Sequence, residues 1–339
     1  MIARTMAFLR AYVKSMRLYY AFVTGVAGWL GMSFYQYVAA APGFIARSRI
    51  PHTVEVPTPD EAKLVILVIL FLSWGINQIV NDWIGRAEDR VNAPHRPMVS
   101  GELDPRLALW FSALLSVIAA VVTAAYLQPI ALVPLAAGAA LNVVYGYAKA
   151  YGILGNIVFG IMIAMCTLFG FFASGPTETY FLTPSRISIL SVVAVMNGLM
   201  TFYTHFKDCE GDRAAGKRTL VVQFGLERSR ILSIVGAPLP AVLFLVLYFP
   251  LRLIEIDFNN VFVILGLLTV FLEVWTGVLY WRNPAGEMTY HSLVTNFQAC
   301  VCGQAALIAL FNPELGMVLF LCSYVFVDFL FRLHTDARS

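Results

Sequence analysis

The chain predicts an all-α, polytopic integral membrane helical bundle of nine or ten transmembrane helices, forming a single domain over residues 1–339. Three observations carry that expectation. The chain is 59% hydrophobic and only 13% charged, where soluble domains carry about 25% charged residues. Apolar stretches of about 20 residues, enough to span a hydrocarbon core about 30 Å thick, recur along its whole length. Finally, Lys and Arg are segregated between alternate loops, as the positive-inside rule demands of a multi-pass protein.

Taken in order, the predicted spans run over 17–38, 62–83, 105–126, 128–148 and 152–174, then 186–206, 229–250, 258–281, 290–311 and 314–333. The count falls to nine if the last two, which meet at Asn312 and Pro313, form one broken helix. The basic N-terminus MIARTMAFLRAYVKSMRLYY lacks a small-residue cleavage site, so the first helix is expected to be retained. With the N-terminus inside, only Arg47, Arg49, Lys63, Arg186 and Arg252 of the 23 Lys and Arg fall on the outer side. The net charge of +3 is thus a consequence of topology, and the expected surroundings are membrane lipid, not nucleic acid. The Pro-rich stretch 39–61 and the segment 174–185 read as outer loops. The five cysteines have no metal-ligand spacing and read as packing residues.

The scarce charges gather in two places, at the inner ends of the second and sixth spans. The first is NQIVNDWIGRAEDRVNAPHRPMVSG from residue 77; the second is YTHFKDCEGDRAAGKRTLVVQFG from residue 203. At about 100° per residue, Asn81, Gly85 and Asp89 lie within roughly 80° of one another, with Asp82 about 20° beyond Asp89 and Asn77 extending the stripe inward. Asp208 and Asp212 stand four residues apart, on one face and roughly 6 Å apart along the axis, a spacing at which two carboxylates can share a divalent cation. Mg²⁺ takes oxygen ligands and commonly bridges one or two carboxylates to substrate phosphates, while Arg forks grip phosphate oxygens. Diphosphate chemistry at the membrane surface is the function these clusters predict.

At these residues the sequence resembles the UbiA superfamily of intramembrane prenyltransferases. The family's motif N-D-x-x-D-x-x-x-D followed by R-P is matched by Asn81, Asp82, Gly85 and Asp89, then Arg96 and Pro97; its D-x-x-x-D motif is matched by Asp208 and Asp212. The continuations N-x-P-x-R-P-x-x-S-G and E-G-D-R-x-x-G are similar to the branch of chlorophyll synthase, homogentisate prenyltransferases and digeranylgeranylglyceryl phosphate synthase. Tyr145, Lys149 and Asn156 fall in a third match, YGYAKAYGILGN, and Arg17 in a weaker one, SMRLY. The resemblance implies nine helices around a central cavity, Mg²⁺ held by Asn81, Asp82, Asp89, Asp208 and Asp212, and an isoprenyl diphosphate donor gripped by Arg17, Arg96, Lys149 and Arg213. The prenyl group would pass to a lipophilic or aromatic acceptor, with Asn77, Tyr145, Asn156 and His205 as substrate-binding candidates and His205 as a base. A terpene cyclase of the same superfamily is the alternative, and a transporter or scaffold without catalysis a third.

One departure bears on the metal site. Gly85 stands where the family has its middle Asp. Glu88 and Glu210 are near enough to substitute, yet on a continuous helix Glu88 aligns with Asn81 and not with Asp82, so it can replace the missing oxygen only if the helix unwinds there. Gly85→Asp is expected to be tolerated, because a carboxylate at this depth can reach water.

Overall fold

The computed structural model describes residues 2–40, 58–176, 183–254 and 256–336. Most of the outer stretch 39–61 and half of 174–185 therefore lie outside the described residues. The chain opens with an amphipathic helix, α1 (Ile2–Met16), which is not a span: Tyr12 Oη and Ser112 Oγ share a hydrogen bond of 2.7 Å, and Ala11, Tyr12 and Met16 pack on Ile79 and Leu103. Then come α2 (Phe22–Ala40), α3 (Asp60–Ile84), two short helices α4 (Arg86–Asn92) and α5 (Pro97–Ser100), α6 (Pro105–Tyr126), α7 (Leu132–Ala148), α8 (Ile153–Ala173) and α9 (Pro184–Ala214). The remainder is α10 (Leu220–Gly236), α11 (Leu239–Tyr248), α12 (Asn260–Arg282), α13 (Met288–Phe311) and α14 (Pro313–Asp336).

Among the described residues, nine helices are long and apolar enough to cross a membrane, with α10 and α11 together making one span over Leu220–Tyr248. Outside those nine, α2 adds 19 residues, about 28 Å of helix, embedded in the core by Val26, Leu30, Phe34 and Tyr35. The chain is a multi-pass integral membrane protein. The last two helices are separate and antiparallel: Tyr290 Oη, Gln298 Nε2 and Cys302 Sγ on α13 donate to the carbonyls of Phe331, Tyr324 and Phe320 on α14, in descending register. Asn312, which caps α14 by accepting from the Leu315 N–H at 3.0 Å, and Pro313 make the corner.

In lipid, apolar contact does not by itself drive helices together, so close backbone approach and buried amide bonds do. Helix α2 crosses α8 at Gly28, Gly31 and Gly170, where any Cβ on Gly31 or Gly170 would overlap the partner backbone. Side-chain amides fasten the rest. Asn156 on α8 donates to Gly198 O on α9 at 3.1 Å, and Asn296 on α13 donates to Met200 O on α9 at 2.9 Å. Thr24 on α2 reaches Leu70 O on α3 at 3.1 Å. These clips hold α3, α8, α9 and α13 around a cavity at the end of the bundle where both charged clusters lie.

Candidate active site

The first cluster owes its shape to a break and a proline. Helix α3 stops at Ile84, Gly85 serves as its C-cap, and α4 restarts at Arg86. Pro97 at the start of α5 keeps Arg96 extended (φ −63°, ψ 138°), so its guanidinium turns back on the helix end. Arg96 Nη1 lies 3.3 Å from Asp82 Oδ1 and 2.5 Å from Asp89 Oδ1. Burial pulls the Arg96 pKa down, but Asp82 and Asp89 more than offset this and leave it above its ordinary value. Burial also pushes the Asp89 carboxyl above the usual range, against the pull of Arg96.

Arg17 also reaches Asp82, at the same carboxylate oxygen as Arg96. It sits between α1 and α2 in the left-handed region (φ 45°, ψ 49°), a conformation a non-glycine residue adopts only where its surroundings impose it. Its carbonyl accepts from Trp74 Nε1 at 3.2 Å, and its side chain pairs with Asp82 Oδ1.

Two loops bring in the remaining cations. The loop after α7 and the loop after α9 are joined by a parallel bridge between Tyr151 and Arg218, in which Gly152 N donates to Arg218 O at 2.8 Å and Arg218 N to Ala150 O at 3.3 Å. This places Lys149 and Lys217 on one cavity wall. Lys149 Nζ lies 2.9 Å from Asp212 Oδ1, and Lys217 pairs with Glu88 Oε1. Burial lowers the Lys149 pKa, while Asp208 and Asp212 overcome it and hold the ammonium charged above its usual value.

The two clusters are also tied directly. Asn92 at the end of α4 donates to Asp208 O at 3.1 Å and accepts from Gly211 N at 3.0 Å. Any Cβ at residue 211 would overlap the Asn92 side chain. Gly211→Ala is therefore expected to cost about 1–3 kcal/mol from overpacking and to reduce turnover by separating Asp89 from Asp208. The midpoint of thermal unfolding in detergent, measured beside activity, checks this.

Of the residues singled out from sequence, Arg17, Asn81, Asp82, Asp89, Arg96, Tyr145, Lys149 and Asp208 line this one cavity. Others do not. Arg213 is exposed and its guanidinium sits 3.8 Å from Cys209 Sγ. Met200, Thr201, Thr204, Lys207 and Asp208 form the cavity-facing arc of α9; at about 100° per residue Asp212 and His205 lie roughly 40–60° beyond Asp208, and Arg213 further still. Asp212, fully buried, thus reaches the cavity only through Lys149, and His205, 1% exposed, does not line it. Asn77 continues the α3 stripe too deep: its carbonyl accepts from Asn142, and it lines a neighbouring apolar cavity instead. Asn156 is a helix clip, its amide consumed by Gly198 O.

Sequence reasoning missed Lys207, Lys217, Gln78 and the aromatic wall. Tyr20 stacks on Phe297 with centroids 4.8 Å apart, Trp74 meets Tyr20 edge-on at 6.4 Å, and Phe159 tilts against Tyr145 at 5.2 Å. Tyr147 and Tyr151, near the third match, point away and are 59% and 71% exposed, while Phe202 and Tyr203 pack in a separate cluster with Tyr280. Lys217 was legible as part of GKR; Tyr20, Trp74 and Phe297 come from three distant helices and carry no local signal.

A model of the UbiA prenyltransferase family matches residues 38–297. The digeranylgeranylglyceryl phosphate synthase of Thermococcus sibiricus is 26% identical over 236 residues, covering 67% of this chain and 73% of the relative. That of Methanospirillum hungatei is 27% identical over 242 residues, covering 70% and 77%. Among solved structures, a UbiA homolog from Aeropyrum pernix K1 superposes with a TM-score of 0.64 at 14% identity over 91% of this chain and 98% of the other. A UbiA homolog from Archaeoglobus fulgidus, bound to DMAPP and Mg²⁺, gives 0.60 at 15% identity over 91% and 99%. With the family match spanning well over half of its length, the chain belongs to the UbiA prenyltransferase family and is an intramembrane prenyltransferase.

Proposed function

We propose that this prenyltransferase ionises an isoprenyl diphosphate with the help of Mg²⁺ and passes the prenyl group to a lipophilic or aromatic acceptor. In this reading the chain is one domain, and the site opens on the cytoplasmic side, where the basic loops collect. One observation carries it. In each of Asp82, Glu88 and Asp89, one carboxylate oxygen meets a cation while the other is buried without a hydrogen-bond partner, as is Asn81 Oδ1. A buried carboxylate oxygen left unsatisfied is costly, and such a group calls for an ion or ligand.

These orphaned oxygens fit a hard cation. Among the described residues no three His, Cys, Asp or Glu are gathered closely enough to form a metal cluster, and Asp82, Glu88, Asp89 and Asp212 are instead paired with Arg17, Arg96, Lys149 and Lys217. Asn81, Asp82, Asp89 and Asp208 would hold Mg²⁺ from the cavity wall, with Asp212 supporting through Lys149. When bound, Mg²⁺ supplies positive charge against the diphosphate as negative charge grows on it.

The chain's own residues do the rest. Arg17, Arg96, Lys149, Lys207 and Lys217 offer donors to the diphosphate oxygens from three directions, and their charge stabilises the leaving group as the carbon–oxygen bond breaks. Preorganisation matters here: each cation is already held by a carboxylate, so little reordering accompanies binding. The prenyl carbons then lie against Tyr20, Trp74, Tyr145, Phe159 and Phe297, whose ring faces favour an allylic cation and whose bulk excludes water. The acceptor captures that cation and releases its proton. The curated relatives are named for a product with prenyl groups on a glyceryl phosphate, which favours transfer over cyclisation.

The test is turnover of purified protein with a panel of isoprenyl diphosphates, Mg²⁺ and an acceptor-containing lipid extract, read by mass spectrometry. A prenylated acceptor that vanishes with chelator is the expected product. A cyclic hydrocarbon made without acceptor overturns the transferase reading.

A further inference from the structure

Gly85 removes a carboxylate from the first motif, and the structure shows what stands in its place. Gly85 takes φ −88° and ψ 12° between α3 and α4. That ψ is displaced by roughly 50° from the helical value, so the continuous wheel on which Glu88 aligned with Asn81 does not hold past residue 84. Glu88 turns into the cavity that Asn81, Asp82 and Asp89 line. A Cβ built on residue 85 would come within 3.0 Å of Glu88 Oε1 and 3.4 Å of its Cδ. The Glu88 carboxylate thus occupies the space into which a side chain at 85 would grow.

The carboxylate also has a buried oxygen to spare. Glu88 is 5% exposed, its Oε1 is held by Lys217, and its Oε2 is buried without a partner. We infer that Glu88 is the third carboxylate of the first motif, presenting to the divalent cation the oxygen that residue 85 lacks, with Lys217 fixing its orientation. This rests on the Mg²⁺ reading above. Gly85 and Glu88 then form a coupled pair: the absence of a side chain at 85 makes room for the carboxylate from 88. The expectation that Gly85→Asp is tolerated changes accordingly. A Cβ at 85 would also press to 2.9 Å on Asn81 O, and two carboxylates would compete for one place.

Mn²⁺ binding, followed by electron paramagnetic resonance on the full chain in detergent with inorganic pyrophosphate, tests the inference without recourse to activity. Even partners that merely orient metal ligands are worth about 10–100-fold in affinity, so Glu88→Gln is expected to weaken Mn²⁺ at least about tenfold. Gly85→Asp alone should weaken it too, and Gly85→Asp with Glu88→Ala should return it to within about threefold of the wild type. Wild-type affinity in Glu88→Gln overturns the assignment and leaves the Glu88–Lys217 pair as a strut between α4 and the loop after α9. If Glu88→Gln does not fold, the double variant decides: affinity at least about tenfold below wild type refutes the exchange of positions. Asp208→Asn in the same titration separates the two levels. Loss there with none in Glu88→Gln removes Glu88 alone, whereas wild-type affinity in both removes the metal reading itself.

Discussion

Replacing Asp208 with Asn is expected to lower kcat/KM by about 100-fold or more while leaving the unfolding midpoint close to that of the wild type. Asp208 lines the cavity with its side chain 22% accessible and its nearest cation, Lys207, at 3.5 Å. Its carbonyl, not its carboxylate, holds Asn92, so the amide keeps the tie between the two clusters and removes only charge. Kinetics against Mg²⁺ concentration should show the loss as a raised metal requirement together with a lowered kcat. A variant with full activity at ordinary Mg²⁺ would show that this carboxylate faces the cavity without serving the reaction.

Asp212→Asn should behave differently, although both residues belong to the same D-x-x-x-D motif. Asp212 is fully buried against Lys149, whose side chain is 14% exposed. Removing one partner of a buried ion pair strands the other charge, which costs about 3–5 kcal/mol. Asp212→Asn and Lys149→Met should therefore each lower the thermal midpoint markedly as well as activity. The double variant Lys149→Met/Asp212→Asn, with neither charge left, should recover much of the stability and none of the activity. That double-mutant cycle isolates the coupling of the pair; additive losses would mean that Lys149 and Asp212 act independently.

The different fates of these two aspartates show how far the sequence could be read. Local rules sufficed for the helices. Runs of about 20 apolar residues mark spans whatever packs around them, and all ten expected stretches are helical, with the sixth reaching on to Ala214 and a helical turn from Leu220, kinked at Gly225, leading into the seventh. The D-x-x-x-D spacing put Asp208 and Asp212 on one face, but the choice between cavity and packing turns on some 40° of helix rotation, which depends on the partners α9 finds. His205 and Arg213 were misplaced for the same reason. Asn77 and Asn156 show a second limit: a polar residue in a span can serve a substrate or clip two helices, and only the partner tells which. The aromatic wall was illegible because Tyr20, in the short turn before α2, Trp74 on α3 and Phe297 on α13 are brought together by tertiary packing alone. By contrast Arg96 was legible as a cation of the first cluster from the R-P pair alone, and Pro97 holds its backbone extended beside Asp82 and Asp89.

Local chemistry also explains why a strongly apolar chain concentrates its charges at one end of the bundle. Each carboxylate that lines the cavity is set against an Arg or Lys, an arrangement that keeps the charged groups compensated at the membrane boundary and still leaves oxygens to offer a cation.

A structure of the protein in nanodiscs with Mg²⁺ and a thiolodiphosphate analogue of an isoprenyl donor, which binds without ionising, tests the central claim most directly. The account predicts the diphosphate between Asp82, Asp89 and Asp208, within reach of Arg17, Arg96 and Lys149, with the prenyl chain along Tyr20 and Phe297. A diphosphate bound elsewhere, or held in this cavity equally well after chelation of Mg²⁺, would contradict it.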